Sequence, residues 1–232
     1  REGRGALGPF RQRQYSDKPP WFLTHGLHRA LDFHELLFTE EVRREVRIEL
    51  ETQTTLLVAS DAQADTAPTG GLIALVDGRV RAAFCSFANV LGTLGHVEGQ
   101  PVTCIAVCEC SMVITTLWDL RATVRGKRIL WLLDNSASLH ALVKGTSGNQ
   151  YLCRAVELFH IFCFWFQVQV WFEFVDSDSN FSDGISRELG QDPFCAQIGV
   201  TPHECAVHAW MWEVPLAEVW ASFSRAALGE GR

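Results

Sequence analysis

The sequence predicts an α/β protein in which helices lie on the faces of a mixed β-sheet. TTLLVAS (residues 54–60) and the start of RILWLLDN (residues 128–135) are continuous apolar runs, which is typical of buried strands. Between them, residues 105–124 lack glycine and proline and predict a long helix. A helix in this position suits a crossover connection, so we expect the two strands to be parallel neighbours.

The remaining elements follow from local signals along the chain. Asp77-Gly78 separates two apolar runs within residues 71–87, and this dipeptide is a strong signal for a two-residue hairpin. Gly145 ends a short predicted helix, SASLHALVKG. We further predict a helix over residues 149–165, a strand over residues 167–175 and a last short helix that starts after Ser182 or Asp183.

Composition divides the chain into three parts. Residues 1–50 are predicted to form an N-terminal arm, basic at first, with connecting helical stretches such as TEEVRREVRIELE. Residues 51–192 contain all the predicted strands and form the central domain. Residues 193–232 form a helical tail, whose tryptophans we expect to cover an edge of the core rather than to stack on bases.

The net charge of the chain and its apolar stretches bear on nucleic-acid binding and on membrane insertion. The 232-residue chain carries a net charge of −7, which argues against non-specific nucleic-acid binding through a basic surface but does not exclude a nuclease. The most apolar stretch, residues 158–175, contains His, Gln and Glu, so we expect no membrane span. We expect an intracellular protein of the cytoplasm or nucleus that is not secreted.

The eight cysteines include no CxxC pair, and several lie in apolar runs. We therefore expect buried free thiols in a reducing compartment. A zinc site is the alternative, although the spacing fits no known finger pattern. Its ligands would be Cys104, Cys108 and Cys110, or His203, Cys205 and His208.

Each of the two apolar strands ends in an aspartate, Asp61 and Asp134. If the strands are parallel neighbours, both carboxylates open into the crevice where α/β sheets bind ligands. Adjacent strands lie about 4.8 Å apart, so the two acids repel each other unless a cation lies between them. Oxygen ligands of this kind suit Mg²⁺ or Mn²⁺. The alternative is that both aspartates are turn formers or helix N-caps.

Two further acids extend this pattern. Glu109 lies in the apolar helical sequence AVCECSMVI, without an opposite charge one turn away, and the alternative is that it faces solvent. Asp183 belongs to VDSDSNFSDGISR (residues 175–187), beside Asp176 and Asp178. That stretch supplies either a fourth carboxylate or an ordinary solvated loop.

Four segments carry a resemblance to a known family. They are SDAQ (60–63), CE (108–109), RGKRILWLLDNSASLHALVKGTS (125–147) and NFSDGISR (180–187). Together they resemble the ribonuclease H domain of retroelement reverse transcriptases, of the DIRS-like or LTR type. The resemblance covers residues 54–190 and is most specific in the DN-to-VKG segment and in N-x-x-D-x-x-SR. It implies a ribonuclease H-like fold, with a five-stranded mixed β-sheet flanked by α-helices.

The resemblance also implies an activity and a site. The activity is hydrolysis of the RNA strand of RNA/DNA hybrids with two Mg²⁺ or Mn²⁺ ions, one activating a water and the other stabilising the leaving 3′ oxygen. Asp61 would bridge both ions, Glu109 and Asp134 would complete one ion site, and Asp183 the other. These four acids are the implied catalytic and metal-binding residues, and an upstream reverse transcriptase domain is the implied partner.

Polar residues beside these acids are candidates for substrate contact. Asn135 and Asn180 are placed to reach 2′ hydroxyls of a hybrid, and Arg187 to reach a phosphate. Both asparagines fit equally well as cap or turn residues.

Departures from the family keep other functions open. FEFVDSDS replaces the usual W-V-x-S lead-in, and no Y-x-D-D polymerase motif is present. One alternative is a catalytically inactive domain that binds nucleic acid or a partner. Another is a different nuclease of the same general fold, such as an integrase, although a glutamate in the first helix favours ribonuclease H. A third is a decayed element without a present role.

Overall fold

The coordinates come from a computed structural model. It describes residues 7, 10, 23–40, 55–64, 68–90, 92–94, 104–188 and 191–229. Most of the predicted N-terminal arm and of the stretch TEEVRREVRIELE therefore lies outside the described residues.

A mixed six-stranded β-sheet lies at the centre of the fold. Its strands are β1 (Thr55–Gln63), β2 (Thr69–Val76), β3 (Arg79–Ser86), β4 (Arg128–Leu133), β5 (Gln169–Phe174) and β6 (His203–Glu204). The spatial order is β5-β4-β1-β2-β3-β6, in which β4 is parallel to β1 and β5, and β2 is antiparallel to β1 and β3. The α/β class and the mixed sheet are confirmed, but the expected count of five strands is wrong.

The sixth strand comes from the C-terminal tail, where no strand was predicted. β6 has only two residues and pairs in parallel with β3, through Ala83–His203 and Phe84–Glu204. The backbone N–H of Cys205 extends the pairing by donating to the carbonyl oxygen of Phe84 at 2.8 Å. Two residues are too few to show the alternation of apolar and polar side chains by which a strand is predicted. Only the backbone pairing with β3 identifies this strand.

Helices flank the sheet. Those in the described residues are α1 (His25–Thr39), α2 (Ile105–Asp119), α3 (Arg121–Val124), α4 (Ser136–Lys144), α5 (Gln150–Trp165), α6 (Asp183–Glu188), α7 (Pro193–Gln197), α8 (Trp210–Glu213) and α9 (Leu216–Leu228). The helix predicted over 105–124 is interrupted at Leu120, which separates α2 from α3. None of these helices combines the length and the apolar character that crossing a membrane requires.

Turn and cap residues behave as the sequence predicts. Asp77 and Gly78 both have positive φ, 49° and 74°, as a two-residue type I′ hairpin between β2 and β3 requires. Gly145 ends α4 in the left-handed conformation, with φ 81°. The helix predicted over residues 149–165 begins at Gln150, and Asn149, which was not predicted as a cap, accepts hydrogen bonds from its first turn.

The two faces of the sheet carry separate apolar clusters. On one face, α2 and α5 pack over buried residues such as Leu56, Val58 and Trp131, and the tail joins the same cluster through Trp220. On the opposite face, a smaller cluster forms around Ile185 of α6; its other buried members are Ala59, Ile73, Ala82 and Cys195. The central strand β1 is thus covered on both sides, as its continuous apolar run predicts.

Cysteines and tail tryptophans are mostly buried. None of the eight cysteines is paired in a disulfide, and each is buried except the partly exposed Cys153. Trp212 and Trp220 are buried in the main core, and Trp210 packs against it. The tryptophans therefore cover the core, as expected.

Candidate metal centre

Three carboxylates converge where β1 and β4 part. Asp61, Glu109 and Asp134 each offer one oxygen, and these oxygens lie within 4.8 Å of one another. We call these residues the acidic trio. Within the described residues no other group of three His, Cys, Asp or Glu side chains converges in this way. Neither of the alternative zinc sites is therefore assembled.

Strand pairing explains how two members of the trio meet. β1 and β4 pair in parallel up to Ala59–Leu132, whereas β1 continues beside β2 as far as Gln63–Thr69. A crevice therefore opens beyond the last parallel pair, and Asp134 follows the end of β4 there. The position predicted for Asp61 needs one correction. It lies inside β1, opposite Gly71, because pairing with β2 extends the strand beyond its apolar run.

Glu109 reaches the crevice from helix α2. Its side chain is only 2% exposed, so the solvent-facing alternative is wrong. One carboxylate oxygen, Oε1, accepts a hydrogen bond from the backbone N–H of Ala62 at 3.0 Å, and the other, Oε2, has no partner. Burial and the nearby charge of Asp61 raise the pKa of Glu109 well above its ordinary value.

Asp61 is also held in an unfavourable environment. Burial is the main cause that raises its pKa from 3.8 to about 6, and the charges of Asp134 and Asp183 add to the rise. The hydroxyl of Ser186 donates a hydrogen bond to Asp61 Oδ2, which acts in the opposite direction by stabilising the ionised form. The trio therefore strains the folded state when it is ionised and no cation is bound.

Two adjacent glycines in β2 let helices approach the trio from both faces. A Cβ atom at Gly70 would lie 2.5 Å from Met112 Sδ of α2, and one at Gly71 would lie 2.5 Å from the backbone nitrogen of Ser186 in α6. Both distances are shorter than side chains tolerate. Close packing of α6 depends on glycine at position 71, where the clash is with backbone, whereas at position 70 the end of the flexible Met112 side chain can shift.

Asp183 lies near the trio but outside it. Its charge contributes to the raised pKa of Asp61, yet it is not part of the converging group. Its Oδ1 is 2.7 Å from a terminal nitrogen of Arg187, one helical turn further along α6. Arg187, predicted to contact substrate, is exposed and paired with this carboxylate.

The two candidate asparagines make local hydrogen bonds. The Asn135 side chain caps α4 by accepting from the Ser138 N–H at 3.0 Å. Asn180 is buried; its amide donates to the Ser60 carbonyl oxygen at 3.2 Å, and its Oδ1 accepts from the Ser182 hydroxyl at 2.7 Å. Asn180 thereby ties the segment before α6 to the strand that carries Asp61. Their contact with substrate stays a prediction.

Several residues that build the site were not singled out from the sequence. Ser186 contacts Asp61 directly, and Gly70 and Gly71 admit the two helices. The available signals were weak: Ser186 lies in the matched NFSDGISR segment, and a Gly-Gly pair at the start of a strand suggests a close backbone approach.

The donor set fits a hard divalent cation. Three carboxylates on three different elements supply only oxygen, which suits Mg²⁺ or Mn²⁺ and not the nitrogen and sulfur ligation typical of zinc. The unpartnered Oε2 of Glu109 is a buried acceptor that a cation would satisfy.

Comparison of the chain with protein-family models and with curated proteins found no match. The fold and the site therefore define the chain only as an α/β protein with an acidic trio, two of whose members are buried, at the end of two parallel strands.

Proposed function

We propose that this chain is the ribonuclease H domain of a retroelement reverse transcriptase, a divalent-metal-dependent endonuclease that hydrolyses the RNA strand of RNA/DNA hybrids. The observation that carries the proposal is the convergence of Asp61, Glu109 and Asp134 within 4.8 Å. These acids are far apart in the chain and were selected from the sequence by one family pattern.

The strand arrangement supports the same proposal. Five strands pair in the order β5-β4-β1-β2-β3, and the trio lies where the parallel strands β1 and β4 part. A ribonuclease H-like fold implies a mixed five-stranded sheet, to which β6 adds a two-residue edge. The free cysteines are consistent with the cytoplasm or nucleus, where such a domain would meet its substrate.

The residues of the trio would hold the cation and orient the scissile phosphate beside it. When bound, Mg²⁺ or Mn²⁺ would activate a water and neutralise charge on the phosphate and the leaving oxygen. Asp61 and Glu109 supply two buried carboxylates, while the partly exposed Asp134 forms the side open to substrate. Asp183 is the candidate for the second ion, and Arg187 holds one of its oxygens.

A second candidate is a catalytically inactive domain of the same fold that binds nucleic acid or a partner protein. The observation in its favour is that the fourth acid, Asp183, lies outside the converging group and is paired with Arg187. The two candidates differ in whether a bound hybrid is cut.

The test is cleavage of an RNA/DNA hybrid labelled on its RNA strand, with Mg²⁺ or Mn²⁺ and the purified chain. We expect Asp134→Asn to lower the cleavage rate on the order of 100-fold or more, because a lost metal ligand removes several kcal/mol of transition-state stabilisation. Asp178→Asn is the matched control, since Asp178 is exposed and outside the trio. Binding of the hybrid without cleavage by the wild-type chain, with either metal, would favour the inactive domain.

A further inference from the structure

Helix α6 packs on the sheet through two fully buried residues, Ile185 and Ser186, and Ser186 makes the hydrogen bonds. Its hydroxyl donates to Asp61 Oδ2, and its carbonyl oxygen accepts from the Thr69 hydroxyl at 2.6 Å. The absence of a side chain at Gly71 gives the Ser186 backbone room against β2. The side chain and the carbonyl group of Ser186 are therefore bonded to β1 and β2, while its backbone nitrogen donates to the Ser182 carbonyl oxygen at 3.1 Å.

The Ser186 hydroxyl also connects the first and the fourth acid. Its oxygen lies 2.9 Å from the backbone carbonyl oxygen of Asp183, as well as within hydrogen-bond distance of Asp61. A hydroxyl has one proton and donates to one acceptor at a time. An ionised carboxylate is the stronger acceptor, because charge-assisted hydrogen bonds are about twice as strong as neutral ones. With Asp61 ionised, the proton therefore points to Oδ2.

We infer that Ser186 is a positioning residue of the metal centre, which orients the Asp61 carboxylate for cation binding. The inference rests on the proposed function. The terminal torsion of an aspartate is broad, so an Asp61 carboxylate without a donor would rotate freely in the crevice. The bond from Ser186 to Oδ2 fixes that rotation and leaves Oδ1 as the oxygen free of this bond. Residues that hold a metal ligand in this way typically contribute 10- to 100-fold in metal affinity.

Direct measurement of Mn²⁺ binding tests the inference. Bound Mn²⁺ is followed in the full chain by loss of the electron paramagnetic resonance signal of the free ion, so the readout does not depend on cleavage. We expect Ser186→Ala to weaken Mn²⁺ binding about 10-fold. Ser138→Ala is the matched control, because Ser138 is a buried serine whose hydroxyl joins two helices by donating to the Ala106 carbonyl oxygen at 3.0 Å. It should bind Mn²⁺ as the wild type does.

A second variant covers the case in which Ser186→Ala does not fold. Ser186→Cys keeps nearly the same size with a weaker donor, and we expect its Mn²⁺ affinity to fall between those of the wild type and Ser186→Ala. Circular dichroism establishes which variants are folded. A purely structural role for Ser186 would lower thermal stability while the folded variants kept wild-type Mn²⁺ affinity.

The outcomes separate this inference from the proposed function. Unchanged Mn²⁺ affinity in the folded Ser186 variants, with a wild-type chain that binds Mn²⁺ and cuts the hybrid, overturns the positioning role alone. A wild-type chain that binds no Mn²⁺ overturns both, since no centre exists for Ser186 to position. Weaker binding in the Ser186 variants alone, beside an unchanged Ser138→Ala, supports the inference even if the hybrid stays intact.

Discussion

Replacing Asp61 with asparagine should stabilise the metal-free protein at neutral pH. Asparagine has nearly the same shape, has no charge, and its side-chain oxygen can still accept the Ser186 hydrogen bond. The substitution therefore removes the repulsion between Asp61 and the other acids and retains the packing around it. Most substitutions of a buried residue destabilise a protein, so a gain in stability would be a specific sign of electrostatic strain.

The raised pKa of Asp61 sets the size of the effect. The folded state raises this pKa from 3.8 to about 6, and one pKa unit corresponds to about 1.4 kcal/mol. Keeping Asp61 ionised at pH 7 therefore costs about 3 kcal/mol of folding free energy. This figure already includes the Ser186 hydrogen bond, which favours the ionised form. We expect Asp61→Asn to raise the free energy of unfolding by about 3 kcal/mol.

The sign of the pH dependence follows from proton binding. Between pH 3.8 and about 6 the folded state binds more protons at Asp61 than the unfolded state does, so its stability falls as the pH rises through that window. The gain of Asp61→Asn over the wild type should therefore be small at pH 4, grow through this window and be nearly complete at pH 7. Asp178→Asn, at an exposed position, should show no such gain.

Urea denaturation followed by tryptophan fluorescence, in EDTA at pH 4, 5, 6 and 7, measures these differences. Adding Mn²⁺ at 100 times its dissociation constant should stabilise the wild type by about 2.7 kcal/mol and the variant by much less. A variant that is less stable than the wild type at pH 7 in EDTA, or whose gain is the same at pH 4 and pH 7, would refute the strain argued for the trio.

Two further predictions concern the packing that supports the site and the tail. Gly71→Ala should cost about 1–3 kcal/mol in urea denaturation and weaken Mn²⁺ binding, because a Cβ atom there would lie 2.5 Å from the Ser186 nitrogen. Gly148→Ala, where no atom lies within 4 Å of the new Cβ, should have little effect, and equal effects would contradict this reasoning. Arg154→Met should cost about 3 kcal/mol and speed proteolysis of the tail, because buried Arg154 donates to the carbonyl oxygens of Met211 and Val214. Arg225→Met, at an exposed position, is the control. Equal proteolysis of the two variants would refute the idea that the Arg154 hydrogen bonds hold the tail in place.

Elements with strong local signals could be predicted from the sequence. The adjacency of β1 and β4 follows from two apolar runs joined by a crossover, and the hairpin follows from Asp77-Gly78. Elements that depend on distant partners could not. Strand β1 continues through Asp61 because β2 offers a partner beyond the apolar run. The break in the helix at Leu120 has no glycine or proline to mark it, and Leu120 is buried in the main core.

The same contrast holds for the site. Asp61, Glu109 and Asp134 could be predicted because each follows or interrupts an apolar run, where a charge is conspicuous. The pairing of Asp183 with Arg187 also had a local signal, since residues four apart in a helix face the same side. The contact between Ser186 and Asp61 joins residues 125 positions apart, and depends on how α6 seats against the glycines of β2. The hydrophobic pattern of neither segment predicts the contact between Ser186 and Asp61.

Burial is what distinguishes this trio from an ordinary acidic surface. An acidic cluster in water costs little, because solvent screens its charges. Asp61 and Glu109 are 6% and 2% exposed, and Glu109 keeps an oxygen without a donor. For folding alone, apolar side chains of similar size would serve as well or better at these positions. Yet Gly70 and Gly71 leave room for α2 and α6 beside the sheet where these acids meet, and Ser186 bonds α6 to Asp61. Repulsion among these carboxylates destabilises the metal-free protein, and a bound cation would relieve it. The arrangement therefore favours a metal-binding role over a structural one.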